Sequence, residues 1–187
     1  MSNTDEQSVF QDAVCDLAQP ILRYLERYVG DRFMAEELQQ ETLIRMSKGF
    51  AGFAGRSSLK TWAFSIAGRV AADYFRHPSR RLRIVELDEA AGVTDPDRAI
   101  DERLVAEEMN ACIRGVIDSL PEVYREALIL HDLEGFTLEQ AAEISQCTLA
   151  SVKIRIHRAR LRLKEALKTG CTFYNAPDGV FRCDRKE

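Results

Sequence analysis

The stretch FTLEQAAEISQCTLASVKIRIHRARLR, residues 136–162, decides the fold because it holds two helical patterns separated by a turn. Thr137 stands before the first pattern and Gln140 follows three residues later, which is the capping-box signature of a helix start. Ala141 and Ala142 are small enough for two helices to cross closely. A short helix, a turn of about four residues and a longer basic helix together predict a helix-turn-helix.

The longer helix carries an uneven distribution of charge. Six Lys and Arg lie between Lys153 and Lys164 with no acid among them, although the whole chain has a formal net charge of −4. Helical spacing predicts a buried stripe of Val152, Ile156, Ala159, Leu163, Ala166 and Leu167, with Ile154 and Leu161 facing outward. A solvated face normally mixes charge signs, so this one indicates an anionic partner.

Three kinds of partner suit a basic amphipathic helix, namely a membrane surface, a calmodulin-like protein and DNA. The preceding helix and turn favour DNA, because the second helix of such a unit enters the major groove by its N-terminal half. Lys and Arg can bind phosphates and guanine edges, and Ile154 suits a thymine methyl group. The residues predicted to contact DNA are Ser151, Lys153, Ile154, Arg155, His157, Arg158 and Arg160.

The rest of the chain reads almost entirely as helix, so the predicted fold class is all-α. The predicted helices are 6–28, 33–48, 58–76, 104–118, 121–133, 138–145 and 150–168. Basic blocks at 68–83 and 150–167 flank an acidic segment at 86–102, which indicates two small helical domains and a flexible acidic linker. The predicted division is an N-terminal domain 1–77, a linker 78–104, a helix-turn-helix domain 105–169 and a β-hairpin-like tail 170–187.

Several functional classes find no support in the sequence. The N-terminus is polar and no apolar run approaches the ~18 residues of a membrane span, so we expect a cytoplasmic protein without a membrane segment. The three histidines lack metal-ligand spacing, and the glycines of 49–58 lack the Gly-Lys-Ser/Thr of a phosphate-binding loop. We therefore expect no enzymatic activity, no cofactor and no small-molecule substrate.

The tail CTFYNAPDGVFRC, residues 171–183, predicts a hairpin about Pro177. Folding it there sets Cys171 opposite Cys183 and Phe173 opposite Phe181. The cysteine pair could form a disulfide or half of a metal site, since zinc requires four ligands. The residues that could complete such a site are Cys112, Cys147 and His157. Reduced cysteines without a function are the plain alternative in a reducing cytosol.

These patterns resemble the bacterial RNA polymerase sigma factors of the extracytoplasmic-function class. Residues 120–167 resemble their promoter-binding domain through Leu-Pro-Glu, Glu-Gly and Val-Lys-x-Arg-x-His-Arg-Ala-Arg. The segment AEELQQETLIRM, residues 35–46, is similar to the helix that binds the polymerase clamp, and residues 53–76 are similar to the promoter-melting segment. Two unrelated blocks in the expected order make the resemblance specific, and it covers about residues 10–168.

The resemblance implies a polymerase-binding role for one face of the helix 33–48. At helical spacing this face lies opposite Leu38 and Thr42. Its residues are Glu37, Gln40, Glu41 and Ile44. Carboxylates around one exposed apolar residue suit a protein partner, and an ordinary solvated face is the alternative.

The resemblance also implies that residues 53–76 recognise the minus-ten element during melting. A base that leaves the stack must be received by apolar walls and polar groups. We expect Trp62 and Phe64 to be core residues, so the base pocket is predicted in the loop 54–58 and nearby polar groups. The predicted contacts are Arg56, Ser57, Ser58, Lys60, Thr61, Arg69, Asp73 and Arg76.

Two positions depart from the family pattern. Gly68-Arg69 stands where the family usually has Arg-Asn after Ile-Ala. Gln146 stands in the turn of the helix-turn-helix where Gly is frequent, and a left-handed backbone there would cost Gln ~1 kcal/mol.

The resemblance implies three partners, namely core RNA polymerase, promoter DNA and an anti-sigma factor. It also implies that the acidic linker lies in polymerase channels that hold nucleic acid, where carboxylates mimic phosphates; a plain tether is the alternative. A different function stays open, that of a stand-alone helix-turn-helix regulator responsive to redox state or metal through Cys171 and Cys183. Such a regulator would not need the clamp-binding helix or the melting segment.

Overall fold

The computed structural model describes residues 3–76, 113–175 and 181–186, and the predicted linker 78–104 lies outside them. Helices α1, α2 and α3 span Asn3–Val29, Arg32–Gly49 and Leu59–Arg76, with a 3-10 turn at Phe50–Gly52. Residues 113–118 are helical and are called α4. Helix α5 is Glu122–Leu128 and continues as a π-helical turn at Ile129–Leu133, followed by α6 at Leu138–Ile144 and α7 at Leu149–Gly170. The prediction of an all-α fold with a C-terminal helix-turn-helix is confirmed.

Short polar side chains cap the starts of α3 and α6. Ser58 accepts a hydrogen bond from the Thr61 backbone at 3.0 Å at the start of α3. Thr137 and Gln140 form both bonds of the predicted capping box at the start of α6. These bonds satisfy backbone N–H groups that a helix end leaves without partners.

Two residues with positive φ shape the helix-turn-helix. Gly135 has φ 73° and follows the π-helical turn, where a glycine adopts this backbone without a Cβ clash. Gln146 has φ 50° and lies between α6 and α7. Gln146 therefore adopts the left-handed backbone that glycine takes more readily, in spite of the cost of its Cβ. Pro121 occupies the N-cap position of α5, which begins at Glu122.

The three N-terminal helices enclose a core of large side chains. Those exposed by less than 2% are Ile21, Tyr24, Leu25, Met46 and Phe64. The recognition helix α7 packs its predicted stripe inward through Val152, Ile156 and Ala159, whereas Ile154 and Leu161 are exposed by 51% and 48%. The amphipathic spacing of α7 thus predicted its orientation correctly.

The described helices form two groups, an N-terminal group of α1–α3 and a C-terminal group of α5–α7. Within the described residues, one hydrophobic core passes through both groups. Phe64 of α3 meets Phe136, which precedes α6, with 4.8 Å between the ring centroids. Ile144 of α6 packs against Gly68 of α3. The two helical groups therefore contact each other directly, in addition to being joined through the chain.

The tail forms two antiparallel strands, β1 at Cys171–Asn175 and β2 at Phe181–Arg185. The predicted strand pair is present, but the predicted register is wrong by two residues. Cys171 lies opposite Arg185, and Cys183 lies opposite Phe173. Backbone pairing between the two strands sets this register, and the symmetric spacing of Cys and Phe does not determine it. No helix among the described residues is long and apolar enough to cross a membrane.

Candidate nucleic-acid and polymerase interfaces

The N-terminal half of α7 presents an exposed basic surface. Lys153, His157 and Arg158 are exposed beside Ile154. Ser151 is half-buried, and its backbone N–H and hydroxyl both bond to Thr148, which caps the helix. The helix start thus fixes the direction in which the basic residues project.

Tyr124 of α5 holds two arginines of this surface. Arg158 donates a hydrogen bond to the Tyr124 hydroxyl at 3.3 Å, and the Arg162 guanidinium lies 5.1 Å from the ring centroid. The hydrogen bond from Arg158 is the main reason that the pKa of the Tyr124 phenol is lowered. Sequence reasoning missed Tyr124, because only the packing of α5 on α7 brings them together.

Arg160 has a partner within the chain. It donates two hydrogen bonds to the Asp132 carboxylate at 2.9 and 2.5 Å. Asp132 belongs to the π-helical turn, so the pair joins this turn to α7. The bond to Asp132 raises the pKa of Arg160, and Asp132 offsets its positive charge.

Arg155 differs from its exposed neighbours because it is half-buried. Its positive charge acts to lower the pKa of Glu126 in α5 and of Tyr28 in α1. Arg155 therefore lies near the boundary between the two helical groups, although it was predicted to face DNA.

The face of α2 that the sequence marked for a protein partner is accessible. Glu37, Gln40 and Ile44 are exposed, and Ile44 retains 48% of its surface. Glu41 is half-buried and accepts a hydrogen bond from Arg45 at 2.7 Å. On the opposite face, Thr42 is fully buried and bonds to the Leu38 carbonyl. The four predicted residues thus form one patch around an exposed isoleucine.

The loop before α3 and the first turn of this helix contain both exposed and buried side chains. Arg56 is exposed and Ser57 is half-buried. Thr61 is 1% exposed, and its hydroxyl lies 2.8 Å from that of Ser58. Thr61 was predicted to contact DNA; this is corrected, because its buried side chain supports the start of the helix.

Lys60 lies over aromatic rings at the boundary between the helical groups. Its Nζ is 5.8 Å from the Phe64 ring centroid and 4.7 Å from that of Phe136. Such positions allow a favourable interaction of the cation with the ring faces. The ammonium group thus contacts both helical groups.

The second half of α3 carries the other predicted minus-ten residues. Arg69 is exposed and bonds to the Ser65 carbonyl at 3.0 Å. Asp73 accepts hydrogen bonds from Arg76 and, at 3.4 Å, from Arg45 of α2. Burial acts to raise the pKa of Asp73, but the hydrogen bonds from the two arginines outweigh it and the pKa is lowered. Asp73 is therefore a fixed carboxylate between basic side chains.

Aromatic side chains pack next to the loop before α3. Trp62 is half-buried, with its ring centroid 5.1 Å from that of Phe53, whereas Phe64 is fully buried. The expected core role is confirmed for Phe64, and Trp62 packs against the same core.

Three cysteines of the described residues differ in their exposure. Cys15 is exposed, Cys147 is half-buried and Cys171 is buried. Within residues 3–76, 113–175 and 181–186, no group of three or more His, Cys, Asp and Glu could hold a metal ion. Cys112 and the side chain of Cys183 lie outside what the structure describes, so the disulfide and metal hypotheses stay predictions.

Two family descriptions match the chain in the order that the geometry suggests. Residues 15–81 match Sigma-70 region 2, and residues 110–163 match Sigma-70, region 4. The chain belongs to the sigma-70 family. The first match contains the α2 patch and α3, and the second contains the helix-turn-helix with its basic α7.

Curated relatives of this sigma factor extend over most of the chain. It is 29% identical to the RNA polymerase sigma-H factor of Pseudomonas aeruginosa over 87% of this chain and 88% of the relative. It is also 29% identical to the sigma factor YlaC of Bacillus subtilis, over 79% of this chain and 85% of the relative. It is also 29% identical to the ECF sigma-E factor of Escherichia coli, over 83% of this chain and 84% of the relative. The resemblance to the extracytoplasmic-function class is thus confirmed.

Solved structures share the arrangement of helices. The sigma factor RpoE of Bartonella quintana, solved in complex with the anti-sigma factor NepR, has a TM-score of 0.67 and 26% identity over 85% of this chain and 96% of that chain. CnrH, solved with the cytosolic domain of CnrY, has a TM-score of 0.64 at 18% identity over 87% and 89%. The second likeness shows the fold alone.

Proposed function

We propose that this sigma factor binds core RNA polymerase and directs transcription initiation from specific promoters. The observation that supports this most strongly is the coexistence of two different surfaces on one chain. The α2 patch offers carboxylates around the exposed Ile44, and α7 offers exposed basic residues around Ile154. The first suits a protein partner and the second suits DNA.

We propose that α7 reads the minus-thirty-five element in the major groove. Lys153, His157 and Arg158 are accessible there without rearrangement, and Ile154 offers an apolar contact for a thymine methyl group. Ser151 orients the helix start, and Arg160 is held by Asp132. Arg155 reaches DNA only if the boundary between the helical groups opens.

Minus-ten recognition is proposed for the loop before α3 and one side of α3. Arg56 and Ser57 offer a cation and a hydroxyl next to the cap formed by Ser58. Arg69 and Arg76 are exposed farther along α3 and suit the phosphates of a separated strand. Asp73 orients Arg76 through their hydrogen bond, and Lys60 joins this set when it leaves the ring of Phe136.

The α2 patch, formed by Glu37, Gln40, Glu41 and Ile44, is the proposed polymerase-binding surface. An anti-sigma factor is proposed as a further partner, because the matched RpoE structure contains NepR. The place of action is then the bacterial cytoplasm. The proposal assigns no catalytic step to this chain, since the polymerase forms the phosphodiester bonds.

Run-off transcription with core polymerase on genomic fragments tests this function. The wild-type protein should produce discrete transcripts that core enzyme alone does not make. Arg155→Ala should weaken promoter binding and leave polymerase binding intact, and Glu41→Ala should do the reverse. If both variants lose the same activity in both assays, the assigned division between α2 and α7 is wrong.

A stand-alone helix-turn-helix regulator is the second function considered. Such a protein would retard operator DNA in a gel without polymerase and would not change start-site selection. The exposed α2 patch disfavours this alternative, because a regulator of this kind has no use for it.

A further inference from the structure

The two cysteines of the tail lie on the same face of the strand pair. Cys171 of β1 is opposite Arg185 of β2. Phe173 is opposite Cys183. Because side chains alternate between the two faces of a strand pair, these four residues share one face. Cys171 and Cys183 are therefore diagonal neighbours, displaced by two residues along the strands.

This diagonal offset limits bonding between the two sulfurs. Diagonal neighbours on an antiparallel pair are roughly 7–8 Å apart, whereas a disulfide usually joins Cα atoms that are ~4.4–6.8 Å apart. A disulfide in the present register would therefore strain the strands. A slip of β2 by two residues removes this strain, and it is the smallest slip that keeps every side chain on its own face.

The slipped register agrees with the sequence of the tail. It would set Cys171 opposite Cys183 and Phe173 opposite Phe181. Directly opposite positions have Cα atoms ~4.5–5.5 Å apart, which is within the range of a disulfide. The tail therefore has two registers that keep the same faces, and a disulfide favours only the second.

Lys186 holds the present register at the end of α7. Its backbone N–H donates to the Gly170 carbonyl at 2.8 Å, and its Nζ donates to the Lys168 carbonyl at 2.8 Å. Both carbonyls belong to the last turn of α7, where such groups lack partners within the helix and a cation is favourable. The slip would replace Lys186 by Asp184 at this place, and a carboxylate is unfavourable there. The reduced tail therefore keeps the present register.

We propose that Cys171 and Cys183 form an intrachain disulfide when the protein meets a hydroperoxide, and that β2 then slips by two residues along β1. The O–O bond of the peroxide breaks as one thiol sulfur takes an oxygen, and the rest leaves as water or an alcohol. The second sulfur displaces that oxygen as water and forms the S–S bond. The two thiols thus lose two electrons and two protons, and the peroxide is reduced. Cys171 is 3% exposed, which suits the second step.

The slip changes the end of α7 as well as the tail. Lys186 leaves Gly170 and Lys168, so the last turn of α7 loses its cap. Amides in this turn should then exchange with solvent faster than in the reduced protein. The redox state of the tail thereby reaches the helix that carries the basic surface, and this change does not depend on the function proposed above.

Peptide mapping of the full-length protein tests the disulfide. Trypsin cleaves after Arg182 and so separates Cys171 from Cys183 unless a disulfide joins them. After hydrogen peroxide and blocking of the remaining thiols, mass spectrometry should show the two peptides linked in monomeric protein, and dithiothreitol should release them. Oxidation of the exposed Cys15 is followed as the internal control. The disulfide is wrong if Cys171 and Cys183 stay thiols or pair with other cysteines.

Nuclear Overhauser effects between the strands test the slip. They should join Phe173 to Cys183 in the reduced protein and Phe173 to Phe181 in the oxidised protein. Hydrogen exchange at the end of α7 should speed up on oxidation and recover with dithiothreitol. A disulfide that forms in the unshifted register overturns the slip.

Lys186→Pro tests what holds the reduced register, because proline removes both the backbone N–H and the ammonium group. Disulfide formation should become about tenfold faster, since the slip no longer breaks two hydrogen bonds. Lys164→Ala is the control for the loss of a positive charge, since Lys164 is exposed on α7, and it should react at the wild-type rate. If Lys186→Pro also reacts at the wild-type rate, Lys186 does not hold the register and the slip is wrong.

Discussion

Arg45 of α2 donates a hydrogen bond to Asp73 of α3 at 3.4 Å and thereby joins the α2 patch to the proposed minus-ten surface. The same guanidinium binds Glu41, a member of the patch, at 2.7 Å. One side chain therefore orients a carboxylate on each of the two surfaces.

Arg45→Ala should lower the affinity for core polymerase about two- to fivefold, because Glu41 loses the partner that orients it. Exposed ion pairs contribute ~0–1 kcal/mol, so the melting temperature should change little. Fluorescence anisotropy with labelled core enzyme measures the affinity. Arg32→Ala is the control, since Arg32 forms an exposed pair with Glu36 four residues on along the same helix. An equal loss in both variants would show that Arg45 has no special role.

Arg158→Ala should weaken binding of the holoenzyme to promoter duplex about tenfold. A good contact to a base edge contributes ~1–3 kcal/mol, and a lost phosphate contact lowers the salt slope by about one. Titrations at several salt concentrations distinguish the two types of contact. Lys168→Ala is the control, because Lys168 is exposed near the other end of the same helix. If Arg158→Ala lowered the promoter affinity no more than Lys168→Ala does, Arg158 would have no role in DNA binding.

Tyr124→Phe separates the hydroxyl of Tyr124 from its ring. The variant loses the bond to Arg158 but keeps the ring under Arg162. We expect a smaller loss of promoter affinity than with Arg158→Ala, about two- to threefold. Tyr124→Leu also removes the ring and should cost more. Equal affinity in wild type, Phe and Leu variants would exclude a positioning role.

Local sequence rules predicted the helices and their starts. Thr137 with Gln140 forms the expected capping box, because this motif depends on residues within one turn. The exposure of Ile154 also followed from helical spacing alone. Short-range geometry therefore accounts for most of the fold.

Contacts between distant residues could not be predicted in the same way. Arg155 has the spacing of a groove-facing residue, yet its side chain is half-buried and its charge acts on Tyr28 of α1. The sequence showed that Gly68 departs from the family pattern. It could not show that Gly68 lies against Glu126, because the two residues are distant in sequence. The register of the tail also depends on backbone pairing, so the matching Cys and Phe residues gave the wrong partners.

Gln146→Gly should raise the free energy of unfolding by about 0.5–1 kcal/mol. Gln146 has φ 50°, where glycine has no Cβ clash, although glycine loses more chain entropy on folding. Urea denaturation measures the change. Gln146→Ala is the control, because it keeps the Cβ and should not stabilise the protein. A stabilisation by alanine as large as that by glycine would show that backbone strain is not the cause.

Glu126 of α5 makes the stability of the fold sensitive to pH. Burial raises the pKa of its carboxyl from 4.5 to about 7, while Ser145 and Arg155 oppose the shift. The Ser145 hydroxyl does so by proximity, since it makes no hydrogen bond of normal geometry. From α1, Tyr24 and Tyr28 face the carboxyl, and its charge acts to raise the pKa of both phenols. The charge of this carboxyl also acts to raise the pKa of the Cys147 thiol, which lies between α6 and α7.

The folded protein holds the Glu126 proton more tightly than the unfolded chain, in which the carboxyl meets water. The stability associated with the protonated carboxyl is therefore fully present below about pH 4.5, is lost progressively as the pH rises to about 7, and changes little above that. Between pH 5 and 8 this carboxyl should lower the free energy of unfolding by at least about 1 kcal/mol. Urea denaturation across this range measures the change. Glu126→Gln keeps the shape without the charge, so its free energy of unfolding should fall less over the same range; an unchanged pH profile in this variant would assign the dependence to another group.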